Sequence, residues 1–346
     1  MNLFRILLIV MITFSFVLLF IPIVIKIAHH VGALDIPNER KIHTKPMPRL
    51  GGLGIYCGFL VGYLLFGKMT YMMNAILISS FVVVMTGFID DIKPIKAYVK
   101  FACQFISALI LVLYGGILLQ DVNIFSLYIN FGILAYPITI FFILGCINCL
   151  NLIDGLDGLA GGISTIFFLF IGIIAYFQGR IGLNYELAIT LTFIMLGSTG
   201  GFLFHNFYPA KIFLGDSGSM FLGLIISVIT ILGFKSVMMS SIVIPMFILV
   251  VPILDTTFAI IRRRLKGENV MTTPDKSHIH HQFLKHNFTQ RQTVLMIYAI
   301  TILFSVATLI YTLINQKIGM IIYGILMLIF VVLVFKTDII FDRKKK

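Results

Sequence analysis

Three short stretches concentrate the side chains able to do chemistry. The first, GFIDDIKPIKAYVK, carries Asp90 and Asp91 at the end of an apolar run. Adjacent carboxylates repel, so both stay ionised only beside a cation or basic side chains. A divalent metal or a base role is one reading; a helix C-terminal turn neutralised by Lys93 and Lys96 is the other. In the second, NLIDGLDGLAGG, the residues Asn151, Asp154 and Asp157 lie three apart. At helical spacing they share about a third of the circumference, so their oxygens can converge. Such oxygens suit Mg2+, which keeps waters and is completed by substrate phosphates. A helix start with acidic first-turn residues is the plainer alternative. The third, HNFYPAKIFLGDSGS, places Asp216 ahead of Ser217, Gly218 and Ser219. An N-cap needs one acceptor and no function, but Asn206 adds an amide able to read a base or sugar. The turn from Gly215 to Gly218 is also suited to offering backbone amides to a phosphate.

Basic residues and histidines surround these acids in the other polar stretches. RKIHTKPMPRLGG holds Arg40, Lys41, His43, Lys45 and Arg49, and Arg262, Arg263 and Arg264 precede DKSHIHHQF with His278, His280 and His281. The histidine spacing fits no common zinc pattern and no cysteine lies near, which favours hydrogen bonds to phosphate over metal ligation. For the arginines and lysines, attraction of a lipid phosphate or diphosphate stands beside a purely topogenic role.

The elements that must position these stretches are membrane spans. Of 346 residues 59% are hydrophobic and 12% charged, against about one quarter charged in soluble domains, so the chain cannot coat a water-facing surface. Eleven apolar segments are expected, at 3–27, 50–67, 71–89, 98–114, 131–150, 158–177, 185–203, 218–234, 241–261, 292–314 and 318–336. Each matches the roughly 20 residues that cross a bilayer. The predicted fold is all-α and polytopic, a single transmembrane domain over 1–346. The first segment is expected to remain as an anchor, because its apolar run exceeds a signal peptide's h-region. Pro22, Pro137, Pro245 and Pro252 predict kinks, and QDVNIFSLYIN reads as either a short hairpin or a helix. Cys146 and Cys149, inside an apolar run, read as packing residues.

Cytoplasmic loops collect Lys and Arg. With the C-terminus cytoplasmic and the N-terminus outside, the loops 28–49, 90–97, 151–157, 204–217 and 262–291 share the inner face. The outer face then keeps only Arg5, Lys68, Arg180, Lys235 and Lys317 of the 26 basic residues. The same split puts all eight histidines inside, with every carboxylate except Asp121 and Glu186. Topology rules explain the basic residues but not the acids and histidines. Carboxylates, amides and bases on one membrane face describe a phosphate-transfer site with a lipid phosphate and a soluble nucleotide derivative as substrates. A transporter would place its acids near the bilayer midplane between repeats; here they sit at segment ends and no repeat is visible.

The five motifs, in this order and on this face, resemble the polyprenyl-phosphate N-acetylhexosamine-1-phosphate transferases over nearly the whole chain. The pattern is most similar to the bacterial undecaprenyl-phosphate GlcNAc-1-phosphate transferases that start teichoic acid, O-antigen or related polymers. It departs from the phospho-MurNAc-pentapeptide transferases, which carry three consecutive histidines where this chain has His-Ile-His-His. The resemblance implies a multi-pass protein of the bacterial cytoplasmic membrane and a Mg2+ cofactor, with Mn2+ as a substitute. Its partners would be undecaprenyl phosphate, a UDP-sugar and the lipid bilayer, with no nucleic acid; a homodimer is left open. It further implies that Asn151 and Asp216 hold the metal, with Asp154 as a further or alternative ligand. Asp157 and Asn206 would contact the nucleotide sugar, and Phe213 would line the uracil site. His278, His280, His281, Lys45 and Arg49 would surround diphosphate and sugar. Asp90 and Asp91 would act beside the acceptor phosphate, with Lys100 near its charge.

Overall fold

The computed structural model describes residues 1–37, 46–124, 127–178, 183–234, 243–265, 267 and 278–336. The chain divides into two compact units, Met1–Ile242 and Val243–Lys346.

Helices dominate because a lipid-embedded backbone must satisfy its own polar groups. The first unit runs α1 (Leu3–Val31), β1 (Leu34–Asp35), β2 (Met47–Pro48), α2 (Gly51–Phe66), α3 (Tyr71–Ile92) and α4 (Ala97–Leu109). It continues with β3 (Asp121–Ile124), β4 (Leu127–Asn130), α5 (Ala135–Ile153), α6 (Leu159–Gln178), α7 (Leu183–Asn206) and α8 (Gly215–Phe234). Polar caps set several ends. The Asn2 side chain accepts from the Arg5 amide at the start of α1, and Gly32 closes that helix in a left-handed conformation. Thr70 accepts from Met73 at the start of α3. Pro22 lies inside an unbroken α1.

Helix α8 is the axis of this unit. Its stretch Gly215–Gly233 is 94% buried, with α2, α3, α5, α6 and α7 packed around it, so everything near its N-terminus is held by several helices at once. The close packing at that end depends on small residues: a Cβ on Gly87 of α3 would stand 2.3 Å from the Ser217 nitrogen. Strands β1 and β2 pair antiparallel, Leu34 with Pro48 and Asp35 with Met47. At the other end β3 and β4 form an antiparallel hairpin, which resolves QDVNIFSLYIN as a hairpin. Its Val122 packs with Leu119 against Phe131, Ile138 and Phe142.

The second unit holds α9 (Val243–Ile248), α10 (Val250–Leu265), α11 (Ile279–Lys285), α12 (Gln290–Leu309) and α13 (Gln316–Lys336). The ninth expected segment is interrupted at Leu249, where a kink alone was expected. Pro252 has no N–H to offer the carbonyl four residues back, so the ladder fails there. Thr289 and Gln292 form a capping box on α12. Phe304 packs edge-on against Tyr323 and Phe330, which ties α12 to α13.

Eight helices among the described residues are long and apolar enough to cross a membrane, and Gly51–Phe66 and Gln316–Val332 are shorter apolar helices. The chain therefore has the make-up of a predominantly helical, multi-pass membrane protein.

Candidate active site

One end of the first unit gathers the ends of α1, α3, α5 and α7 with the starts of α2, α4 and α8. Here the Asp91 side chain, with 0% exposure, spends its acceptors on the start of α8. Its Oδ1 accepts from the Asp216 backbone N–H at 2.9 Å, and its Oδ2 from the Ser217 N–H at 3.1 Å and the Ser217 hydroxyl at 2.9 Å. Asp91 is thus the cap of α8, delivered from another helix. The turn into α8 allows this only with glycine at 215, where φ is +75° and a Cβ would lie 2.1 Å from the Arg49 carbonyl oxygen and 2.5 Å from Asp91 Oδ2.

With two of its first amides committed to Asp91, α8 does not turn them toward a phosphate, which corrects that expectation: the anion at this helix start comes from the protein. Asp216 is likewise inside the helix rather than its cap. Its Oδ2 meets Lys100 Nζ at 2.5 Å, and its Oδ1 lies 3.7 Å from Arg49 Nη2. Lys100 also reaches Asp90 Oδ2 at 2.7 Å, while Asp90 Oδ1 accepts from the Ile95 amide at 2.8 Å. Arg49 spans Asp35 and Asp91, each at 3.5 Å. The Asp90–Asp91 pair is therefore balanced by Lys100 and Arg49; Lys93 and Lys96 are exposed. Burial works against the Arg49 charge, but Asp91, Asp216 and Asp35 more than offset it and hold its pKa above the ordinary value.

The loop between α5 and α6 supplies the remaining oxygens. Asn151 Nδ2 donates to Ser219 Oγ at 2.9 Å, three residues along α8 from Asp216 and so on the same helix face. This turns the Asn151 carbonyl oxygen the other way. Asp154 follows α5 directly; its carboxyl is pushed up to about 8, first by burial and then by the charge of Asp216, with Arg49 opposing. Asp157 Oδ2 accepts from the Ala210 amide at 3.0 Å. Buried Asn206 uses both ends of its amide on backbone, accepting from Gly158 N–H at 3.1 Å and donating to the Ile212 carbonyl at 2.8 Å. These two residues pin the 207–214 segment to the α5–α6 loop. Half-buried Phe213 joins the same frame through its backbone, its N–H donating to Pro48 and its carbonyl accepting from Gly51. Below the acids, Gln104 accepts from Asn148 at 2.9 Å and donates to Met220 Sδ at 3.3 Å, so a buried polar chain continues along α4, α5 and α8.

In the second unit, α10 carries Asp255, whose Oδ2 stands 2.8 Å from His278 Nδ1 while its Oδ1 accepts from the Ile279 amide at 2.8 Å. Asp255, Arg262, Arg263, His278 and Gln282 are all buried. The His278 and His281 rings are 6.3 Å apart, centre to centre, and His280 is the second residue of α11.

Residues 73–234 match the family described as Glycosyl transferase family 4. A probable undecaprenyl-phosphate N-acetylglucosaminyl 1-phosphate transferase of Bacillus subtilis (strain 168) is 41% identical over 298 residues, which cover 85% of this chain and 81% of that protein. The chain belongs to glycosyl transferase family 4. Two further relatives extend the similarity at 31% identity. They are a decaprenyl-phosphate N-acetylglucosaminephosphotransferase of Mycolicibacterium smegmatis, with 79% of this chain and 73% of that protein covered, and an undecaprenyl-phosphate alpha-N-acetylglucosaminyl 1-phosphate transferase of Escherichia coli (strain K12), with 82% and 78% covered.

Within this family 4 chain the structure brings Arg49, Asp90, Asp91, Lys100 and Asp216 into one ionic network, with Asp154 in its field and Asn151 anchored to the same helix. Asp157 and Asn206 stand at the frame of the adjoining loops. His278, His280 and His281 belong to the second unit, and Lys45 lies outside the described residues. Three participants were not singled out as site residues by the sequence reading. Asp35 sits in the loop after α1 as one more acid, Ser217 reads only as part of a helix start, and Asp255 lies in an apolar run where nothing pairs it with a histidine 23 residues on. A carboxylate inside an apolar helix was itself a cue, since it needs a partner when buried.

Proposed function

We propose that this family 4 protein transfers N-acetylglucosamine 1-phosphate from UDP-GlcNAc to undecaprenyl phosphate, releasing UMP and starting a cell-envelope polysaccharide. One observation carries the reading: carboxylates from three separate loops meet Arg49 and Lys100 at the ends of apolar helices, where a lipid phosphate and a water-borne nucleotide can both arrive. The gathering of Arg5, Lys68 and Glu186 at the opposite end supports the orientation, with Arg5 donating to the Phe66 carbonyl and Lys68 paired with Glu186 at 2.9 Å. On that basis eleven segments span the bacterial inner membrane and the acidic end faces the cytoplasm.

The donor set fits a divalent cation. Asp90, Asp91, Asp154, Asp157 and Asp216 share a partly buried region with only Arg49 and Lys100 in the described network to balance them, and the Asp154 carboxyl is raised first by burial and then by the charge of Asp216. Among the described residues no three His, Cys, Asp or Glu side chains close on one point, as expected of Mg2+, which takes one or two carboxylates and completes its shell with waters and substrate phosphates. Asp216, Asp154 and the Asn151 carbonyl would hold it. When bound, the ion would neutralise the diphosphate and stabilise the departing UMP.

The chain's own groups set the geometry. The acceptor phosphate, with a second pKa of about 6, is largely dianionic at neutral pH and needs no strong base. One of its oxygens forms a bond to the sugar-linked phosphorus as the bond from that phosphorus to the UMP oxygen breaks. Lys100, oriented by Asp90, would meet the acceptor charge, and Arg49 the diphosphate, which holds the reactants in line. Asp91, enclosed and committed to Asp216 and Ser217, acts by positioning Asp216. Asp157, Asn206 and Phe213 would shape the nucleotide-sugar pocket from the loop they brace. The test is UMP release in detergent from a panel of UDP-sugars with undecaprenyl phosphate and either Mg2+ or a chelator. Release is expected with UDP-GlcNAc, lipid and Mg2+ together; no release from any UDP-sugar under those conditions refutes the reaction.

A further inference from the structure

Within the first unit, the contact between α1 and α7 ends in a hydrogen bond that the reaction as described does not use. Gly197, Gly201 and His205 are spaced four apart on α7 and so follow one another along one face, and that face meets α1. A Cβ on Gly197 would press on Thr13, and one on Gly201 would stand 2.5 Å from the Phe14 carbonyl oxygen. Small residues let the two backbones come this close. One turn further on, the His205 ring reaches the α1 backbone itself, with Nε2 2.9 Å from the Leu18 carbonyl oxygen. That carbonyl is the one Pro22 leaves open, because a proline four residues on has no N–H to give it. An unpaired carbonyl among apolar helices is costly, and His205 supplies the missing donor. A carbonyl only accepts, so Nε2 carries the proton. In the neutral ring Nδ1 is then bare, and that atom is buried with no partner among the described residues.

Both chain segments that leave this bond run to groups assigned above to the sugar nucleotide. Past His205, the Asn206 amide ties Gly158 to Ile212. Past Pro22, α1 leads to Ala33, whose carbonyl accepts from the Arg49 amide at 3.1 Å. Lys100, assigned to the lipid phosphate, stands on α4 and outside that path. We propose that His205 is a positioning residue for the transfer reaction: its Nε2–H replaces the donor that Pro22 lacks and locks α7 to α1, so that Asn206 and Arg49 are held where the sugar nucleotide binds. The inference rests on the reading that Asn206 and Arg49 serve that substrate.

His205→Phe, His205→Gln, Pro22→Ala and the double variant Pro22→Ala with His205→Phe are made in the full chain, with Asn206→Ala as a reference. They are compared by melting in detergent and by UMP release, varying UDP-GlcNAc and undecaprenyl phosphate separately. His205→Phe keeps an aromatic ring without the donor and is expected to raise KM for UDP-GlcNAc about tenfold, within the worth of one orphaned buried carbonyl. KM for the lipid and kcat should stay within about twofold. His205→Gln puts an amide N–H within reach of the same carbonyl and should bring KM back near the wild-type value. Pro22→Ala returns a backbone N–H to Leu18, so adding His205→Phe to it should change neither KM nor melting temperature. Nitrogen-15 NMR of histidine-labelled wild-type protein should show the Nε2–H form of His205, a readout independent of activity and of how the variants fold. Equal losses from His205→Phe with proline or alanine at 22, or a wild-type ring protonated only at Nδ1, overturn the proposal. A raised KM in Asn206→Ala beside an unchanged one in His205→Phe overturns the positioning role alone. An unchanged KM for UDP-GlcNAc in Asn206→Ala overturns the proposal together with the reading beneath it.

Discussion

Replacing Asp91 by Asn separates holding from chemistry. The carboxylate accepts on both oxygens, from the Asp216 amide at one and from the Ser217 amide and hydroxyl at the other. Asparagine keeps one oxygen and turns an NH2 toward the remaining donors. The Ser217 hydroxyl can rotate and accept, but one backbone N–H is left without an acceptor in a buried place. That costs about 1–3 kcal/mol. If the whole cost falls on the placement of Asp216, the Mg2+ concentration for half-maximal turnover rises by about fivefold to about 150-fold. Loss of the Asp91 charge acts in the same direction. The assay is UMP release across a Mg2+ titration, with thermal melting in detergent as the control for folding. Activity should recover substantially at high Mg2+. A thousandfold fall in turnover with an unchanged Mg2+ midpoint and unchanged melting would show that Asp91 takes part in the chemistry and would falsify the capping role.

Asp216→Asn should lower turnover by orders of magnitude, because it removes the charge opposing both the metal and Lys100 at 2.5 Å; near-wild-type UMP release would remove Asp216 from the site. Gly215→Ala combines left-handed backbone strain with a methyl group 2.1 Å from the Arg49 carbonyl, and a loss of about 2–5 kcal/mol is expected; a melting temperature within about 1 °C of wild type counts against the tight turn. The Asp154 carboxyl, pushed up to about 8, holds its proton at neutral pH in metal-free protein but not in the unfolded chain. Its stabilising contribution is therefore complete below about pH 4 and is lost as pH rises through 8. Metal must displace that proton, so Mg2+ affinity should climb from pH 6.5 to 8.5 with proton release on binding; calorimetry in buffers of different ionisation heat that finds no released proton excludes Asp154 as a ligand.

Much of the scaffold was legible because lipid permits few backbone solutions. Each of the eleven apolar segments contains helix, and the boundaries move by only a few residues at most ends; α3, for instance, runs on through Asp90 and Asp91 to Ile92. The segment that changed character was 241–261, where the missing donor of Pro252 ends a helix that hydropathy alone draws as continuous. Pairing within the site was much less legible. Lys93 and Lys96 are nearer to Asp90–Asp91 in sequence than Arg49, yet both are exposed in the turn between α3 and α4, and it is Lys100, inside α4, that reaches Asp90 and Asp216. Asn206 and Asp157 look like sugar-reading groups by type, but whether an amide faces ligand or backbone depends on what the chain packs beside it.

Residue types and their periodicity determined that this chain is a set of apolar helices, and they predicted its acids and histidines at one set of helix ends. That follows from a sequence alone because burial in lipid and charge at the interface are properties of each segment taken singly. Only the tertiary structure decided that Asp91 serves the start of α8, that Lys100 and Arg49 balance the acids, and that Asp255 claims a histidine. Those assignments depend on distances of 2.5–3.7 Å between groups far apart in the chain, and such distances are set by helix packing, which the order of residues along the chain does not express.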